Sequence, residues 1–385
     1  MPDMKRYRAA SRRTGLATLA ALVLAGGLAA TTAAAAPRTS ASSAPFLAAF
    51  HTISKVASTV SSLGTGKGGN GDVNPYGVAV VPRSVGRLVA GDVLVSNFNA
   101  ASNLQGTGST IMQISPKGKV SVFADLSGQV RGRIGLTTAL SVFANGDVVV
   151  GSLPTSNGKA ATATAGALYV LNSRGKVIET LSGGGINGPW DMTSFTAGEQ
   201  GVLFVTNVLN HTVASKGAVV HDGTVLRLVL DLSVSPPKLE QDLVIGKGFP
   251  EETNAAALVV GPTGLALSPN GTLYVADTLA SRITAIPDAL FRTTSDATGT
   301  TVSSGEFLSS PLGLATAPNG DILSVNAANG YIVETTPTGT QTEWIYLDST
   351  GSPPGAGALF GLAVQPGNKG VYFVDDDLNT LQLFH

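Results

Sequence analysis

The stretch VVGPTGLALSPNGTLYVADT, at Val259–Thr278, has five relatives along the same chain. Aligned on their turns, they place Gly264 level with Gly77, Ala139, Asp191, Gly313 and Gly361. Successive offsets are 62, 52, 73, 49 and 48 residues, which makes six units. Each unit reads as a short apolar run, a turn carrying Pro, Asn or Gly, and a second apolar run. Asn-Gly accepts positive φ at both central turn positions, so the pairs at Asn145, Asn270 and Asn319 signal hairpins. A third strand follows at Ser109–Ser115, Ala167–Asn172, Thr224–Leu230, Arg282–Pro287, Gly330–Thr335 and Asn379–Phe384. In three units a glycine turn leads on to a fourth: SPKGKVSVFADL, NSRGKVIETL and TPTGTQTEWIYL. Four antiparallel strands every 50 residues or so are one blade, and the predicted fold is all-β, a six-bladed β-propeller over 46–385.

The last unit ends at His385 with three strands, while Ile53–Leu63 precedes the first unit with nothing of its own to pair with. The N-terminal segment is therefore expected to supply the outer strand of the last blade, which removes two open sheet edges.

Upstream of the repeat, Lys5, Arg6, Arg8, Arg12 and Arg13 form a basic head before an apolar run at Leu16–Ala30. With the alanines Ala33–Ala36, this reads as a secretory signal peptide over 1–36, followed by a linker over 37–45. A retained anchor is the alternative, but the run is short and thin in large apolar side chains for a span. The expected location is secreted or extracytoplasmic, with no stable membrane span after processing. The pair Arg12–Arg13 also fits a twin-arginine route. There is no cysteine, so buried apolar area must hold the exported chain together. Charged residues are 13% and the net charge is −1, so no basic stripe serves nucleic acid.

The stretch GPTGLALSPNGTLYVADTLASRI resembles an NHL-type repeat, which reads Pro-x-Gly-apolar, Asp/Asn-Gly, Tyr-Val-Ala-Asp, Arg-Ile. The likeness is good in blade four, fair in blades one, five and six, and loose in two and three. It implies a propeller and says little about activity, because such bodies serve as binding platforms, lyases and hydrolases.

Uneven loops point to a working face. Long excursions follow Asn97, Ser152 and Asn207, whereas the chain returns quickly after Asp277, Asn326 and Asp376. Blades one to three are expected to raise a wall on one face, joined by the loop Gly246–Val260 with Glu251 and Glu252. The strand-end ring of Asn97, Ser152, Asn207, Asp277, Asn326 and Asp376 has two readings: oxygens for a metal or sugar, or acceptors for the next turn's backbone. Just before the inner strands stand Tyr76, Thr138, Trp190, Thr263, Leu312 and Phe360. In the related gluconolactonase-like propellers this position holds the Asn and Asp that bind a catalytic divalent cation; here three residues are aromatic and only the neighbouring Asp191 is acidic. The aromatic rings either line a partly apolar pocket or plug the channel. His211 and His221 share a loop with Asp222, a weak arrangement for a metal or base.

The candidate ligand-binding residues are Tyr76, Trp190, Asp191, Asn207, His211 and Phe360. No metal ligand or catalytic residue is assigned. The expected function is an exported platform that binds a small molecule, glycan or protein on the blade one-to-three face. The alternative is a metal-dependent hydrolase or lyase of the gluconolactonase and strictosidine-synthase-like kind, with a divalent cation in the channel. An adhesive or oligomerising structural part is a third reading. GTGKGGNG at Gly64–Gly71 is a linker rather than a phosphate loop, and VDDDLN at Val374–Asn379 is a charged turn.

Overall fold

A computed structural model describes residues 44–60, 71–132, 134–255 and 257–385. The segment read as a signal peptide, most of the expected linker and the glycine stretch at 64–70 lie outside the described residues.

The first strand in the chain, β1 (Ile53–Ser58), belongs to the last blade. Blade one holds β2 (Val73–Val80), β3 (Val93–Asn99), β4 (Thr110–Ile114) and β5 (Val120–Asp125). Blade two holds β6 (Leu140–Val142), β7 (Val148–Ser152), β8 (Ala167–Leu171) and β9 (Val177–Leu181). Blade three is larger, with β10 (Pro189–Ala197), β11 (Gln200–Asn207), β12 (Val220–Asp231), β13 (Lys238–Asn254) and β14 (Leu258–Val260). Blade four holds β15 (Pro262–Leu267), β16 (Leu273–Asp277), β17 (Arg282–Ile286) and β18 (Thr300–Ser304). Blade five runs through β19 (Pro311–Thr316), β20 (Ile322–Asn326), β21 (Tyr331–Thr335) and β22 (Gln341–Tyr346). Blade six holds β23 (Leu359–Val364), β24 (Val371–Asp375) and β25 (Thr380–Phe384), closed by β1. Among the described residues these are six sheets, one per repeat, each antiparallel; five are ordered as the chain runs, and in the sixth the outer strand is β1. The chain is a six-bladed β-propeller.

The repeat glycine has a physical cause. A Cβ at Gly361 would collide with the Tyr76 carbonyl across the ring, one at Gly313 with the Phe360 carbonyl, and one at Gly264 with the Leu312 carbonyl. Neighbouring inner strands approach backbone to backbone there, a distance that only glycine permits. The contact from Gly361 to Tyr76 joins the sixth blade to the first and closes the circle.

The Asn-Gly turns form as expected, but not with positive φ at both positions. Only Gly146, Gly271 and Gly320 take it, at 95°, 84° and 91°. The asparagine keeps ordinary φ, and its Oδ1 accepts the amide two residues on: Asn145 from Asp147, Asn270 from Thr272, Asn319 from Asp321. That side-chain bond makes a three-residue turn with a glycine bulge preferable to the two-residue type.

Between the blades lie six apolar clusters, one per junction. Leu94 and Ile111 meet Leu140 and Val150 between blades one and two. Val95 and Met112 meet Tyr372 and Leu381 between one and six. Alternate residues of each strand thus face opposite neighbours, and both sides of every sheet are buried.

Closure follows the predicted route. β1 pairs antiparallel with β25, Ile53 opposite Phe384 and Ser58 opposite Thr380. The segment before it continues onto blade five, where buried Glu334 accepts the Phe46 amide at 2.7 Å and the Leu47 amide at 2.8 Å. Phe50 stands edge-on to both Phe46 and Phe384.

Two expectations need correction. Blades three and four also have fourth strands, β13 and β18. Gly246–Val260 is not a loop, since β13 continues through it to Asn254 and turns back into β14. Glu251 and Glu252 therefore sit in a β ribbon, opposite Val220 and Val260.

Candidate binding face and channel

The loops after the second strands and the lead-ins to the inner strands share one face, and there they make a seventh apolar cluster. Phe98 comes from blade one, Leu136 and Leu153 from blade two, Val208 and Leu209 from blade three, and Leu258 and Val259 from the ribbon. They surround Tyr76 and Trp190, with Phe360 packed alongside. Leu136 and Leu258 hold φ of 44° and 61°, a region that costs a bulky side chain free energy. Burying both leucines in this cluster offsets that cost.

Side chains knit the loops together. Asn99 donates to Asn74 Oδ1 at 3.0 Å and to Asn103 Oδ1 at 2.9 Å, and accepts the Gly106 amide. Thr155 of blade two donates to the Gln105 carbonyl of blade one at 3.0 Å. In blade three Asn187 donates to Asn210 Oδ1, and Asn210 to the Asp222 carbonyl. A short helix α1 (Thr212–Ser215) follows His211.

The mouth aromatics form a plug. Tyr76 and Trp190 are 1% and 3% exposed, and the indole donates to the phenol at 2.8 Å. Their rings are 5.9 Å apart and nearly perpendicular, and Phe360 lies 5.0 Å from Tyr76. Phe98 completes the group against Phe360 at 5.8 Å. Sequence reasoning missed Phe98, whose signal was its place one residue past Asn97. Thr263 and Leu312 are buried around the same ring; the Thr263 hydroxyl bonds that of Thr278 at 2.7 Å.

Beneath the plug a cavity of about 360 Å³ runs along the inner strands from Tyr76 to Val80 and their equivalents in the other blades. Asp191 lines it, and its Oδ1 accepts the Met192 amide at 2.7 Å. Depth pushes this carboxyl up to about 8, against the pull of that amide. Burial, and then the Asp191 charge, raise the Tyr76 phenol well above its ordinary value. Further along, Ser141 and Ser194 bond each other at 2.7 Å.

The remaining candidates lie apart. Asn207 is buried inside blade three, where Oδ1 accepts the Asn187 amide at 3.0 Å. His211 is on the rim, its side chain 79% exposed, with Nδ1 2.9 Å from Asp222 Oδ2. Glu251, which sequence reasoning placed on a loop, is fully buried. Burial, and then the Asp222 charge, push its carboxyl up to about 9, against the Asn210 amide. The structure therefore brings Tyr76, Trp190 and Phe360 together over Asp191, and leaves Asn207 and His211 outside that group.

The strand-end ring mostly serves the backbone. Asn97 donates to the Thr59 carbonyl, Ser152 to the Gly135 carbonyl, and Asn326 to the Phe307 carbonyl. Asp277 instead pairs with Arg282 at 2.8 Å. In blade six the strand ends at Asp375, which accepts the Leu378 amide in the charged turn.

The donor set at the mouth does not fit a hard divalent cation, which needs several oxygens. It offers rings, threonine hydroxyls and one carboxyl, and no group of three His, Cys, Asp or Glu among the described residues could hold a metal. No helix of the described residues is long and apolar enough to cross a membrane.

No protein-family model matches the chain, and no curated protein matches it in sequence. Solved structures do. A putative glucose dehydrogenase from Thermus thermophilus is 15% identical over 87% of this chain and 99% of its own, with a TM-score of 0.52. The PQQ-bound aldose sugar dehydrogenase of Streptomyces coelicolor is 14% identical over 86% and 98%, also at 0.52. A gluconolactonase from Xanthomonas campestris is 17% identical over 81% and 85%, at 0.48. At these identities the likeness is one of fold.

Proposed function

We propose that this propeller is an exported binding platform of NHL-like type, taking a small molecule, glycan or protein on the face built by the blade one-to-three loops. The observation that carries this reading is the seventh apolar cluster. Three loops and the β13–β14 ribbon share one core over a plugged channel, so the face is a rigid surface rather than a set of separate loops. Leu104 of the blade-one loop and Val219 of the blade-three loop stand on it, 47% and 49% exposed.

A second reading rests on a different observation. Asp191 titrates near 8 in a cavity of ligand size, a combination that suits a general base of a hydrolase or lyase. The two readings separate in one experiment. The protein is screened by thermal shift against sugars, peptides and lactones, with turnover followed in parallel. The platform reading expects a stabilising ligand whose effect is lost in Leu104→Asp or Val219→Asp and kept in Asp191→Asn. Turnover abolished by Asp191→Asn would overturn it.

A further inference from the structure

Away from that face, the outer edge of blade five carries four aromatic side chains in two stacked pairs. Phe307 lies flat on Trp344, ring centres 3.6 Å apart and planes 11° apart. Tyr331 lies on Tyr346 at 4.0 Å and 28°, and Phe307 meets Tyr331 edge-on. Trp344 and Tyr346 alternate along β22, opposite Val333 and Tyr331 of β21. Both therefore stand on one side of the strand, roughly 7 Å apart along it. Phe307 and Tyr331 pack against the core between blades four and five, while Trp344 and Tyr346 stay 40% and 44% exposed. One face of each outer ring is covered by its stacking partner, and the other meets solvent.

The arrangement is held by polar groups behind it. The Phe307 amide donates to Gln341 Oε1 at 2.9 Å, and its carbonyl accepts from Asn326 at 2.7 Å. Gln341 in turn donates to Ser303 Oγ at 3.1 Å and to the Gly305 carbonyl at 3.0 Å. The rings are thus fixed before any ligand arrives, which lowers the entropy cost of binding.

The surroundings select the ligand. The stretch TTPTGTQT at Thr335–Thr342, which leads into β22, carries hydroxyls and no charge, and Glu343 is the one charged residue of the strand. Neither β22 nor the stretch leading into it holds a Lys, Arg or His to attract phosphate or an anionic lipid surface. A neutral pyranose chain matches on both counts. Its C–H faces lie flat on exposed rings, and its hydroxyls meet an uncharged, hydroxyl-rich border. We propose that the outer edge of blade five is a binding site for a neutral oligosaccharide, with pyranose rings stacked on Trp344 and Tyr346. The site is separate from the loop face and does not depend on it.

The test titrates the purified full chain with neutral oligosaccharides of glucose, xylose and N-acetylglucosamine, by calorimetry and tryptophan fluorescence. The chain has two tryptophans, and Trp190 is buried, so a saturable spectral change reports Trp344. Saturable binding of at least one oligosaccharide is expected. Trp344→Ala and Tyr346→Ala should each weaken it about tenfold, and Trp344→Phe should retain most of it. Near-ultraviolet circular dichroism checks that each variant is folded. Three results would overturn the proposal: no saturable binding across the set, affinity in both alanine variants unchanged from that of the unsubstituted chain, or concentration-dependent self-association lost in Trp344→Ala without oligosaccharide binding.

Discussion

Asp191 shows how much of this protein's behaviour turns on a single carboxyl. Its titration near 8, against an ordinary 3.8, means that the folded protein keeps a proton that the unfolded chain has released. Glu251, near 9, behaves the same way. For a carboxyl raised by folding, stability is highest at low pH and is lost as pH climbs from the unfolded value to the folded one. The melting temperature is therefore expected to fall between about pH 4 and pH 9. Asp191→Asn should flatten that slope and raise the melting temperature near pH 8 by about 2 °C or more; a parallel slope in the variant would contradict the assignment. Trp190 acts through shape. Trp190→Ala would open a cavity beside Tyr76 and strip its phenol of the indole donor, a change expected to cost about 3–5 kcal/mol in chemical denaturation. A loss below about 1 kcal/mol would mean that the plug is loose.

At the scale of the element, the strands that repeat were readable and the ones that do not were missed. The third strands fall within a residue or two of their sequence positions except β12, which begins at Val220, four residues early. β18, written TTVSS, is short and polar, so alternation cannot mark it. Gly246, Gly248 and Pro250 punctuate β13 as a loop would, yet its pairing with β12 absorbs them through register shifts. The aromatic plug was legible as a row of mouth residues, but its depth was not, because burial depends on what the neighbouring loops bring over it. Closure by β1 was legible from a count of strands. Glu334, which clasps the segment ahead of it, carried no signal, since its partners are backbone amides almost 290 positions away. Removing residues through Ser58 should expose the β25 edge and the core around Phe384. The truncated chain is expected to aggregate on mild heating in light scattering, whereas the full chain stays monodisperse. Equal behaviour would show that closure contributes little.

For the whole molecule, one body supports two separate surfaces. Six junction cores make the ring rigid, a seventh cluster seals one end of the channel, and the outer edge of blade five presents its own stacked rings. The fold is shared with sugar dehydrogenases at identities that fix shape alone, so function rests on what stands at the mouth. There the side chains are mainly aromatic rings, with too few oxygens to hold a hard cation. The most direct test is the metal content of the native protein. Protein purified without chelator is expected to carry far less than one equivalent of calcium or zinc, unchanged by Asp191→Ala. About one bound metal per chain, lost in that variant, would contradict the plugged mouth and the platform reading with it.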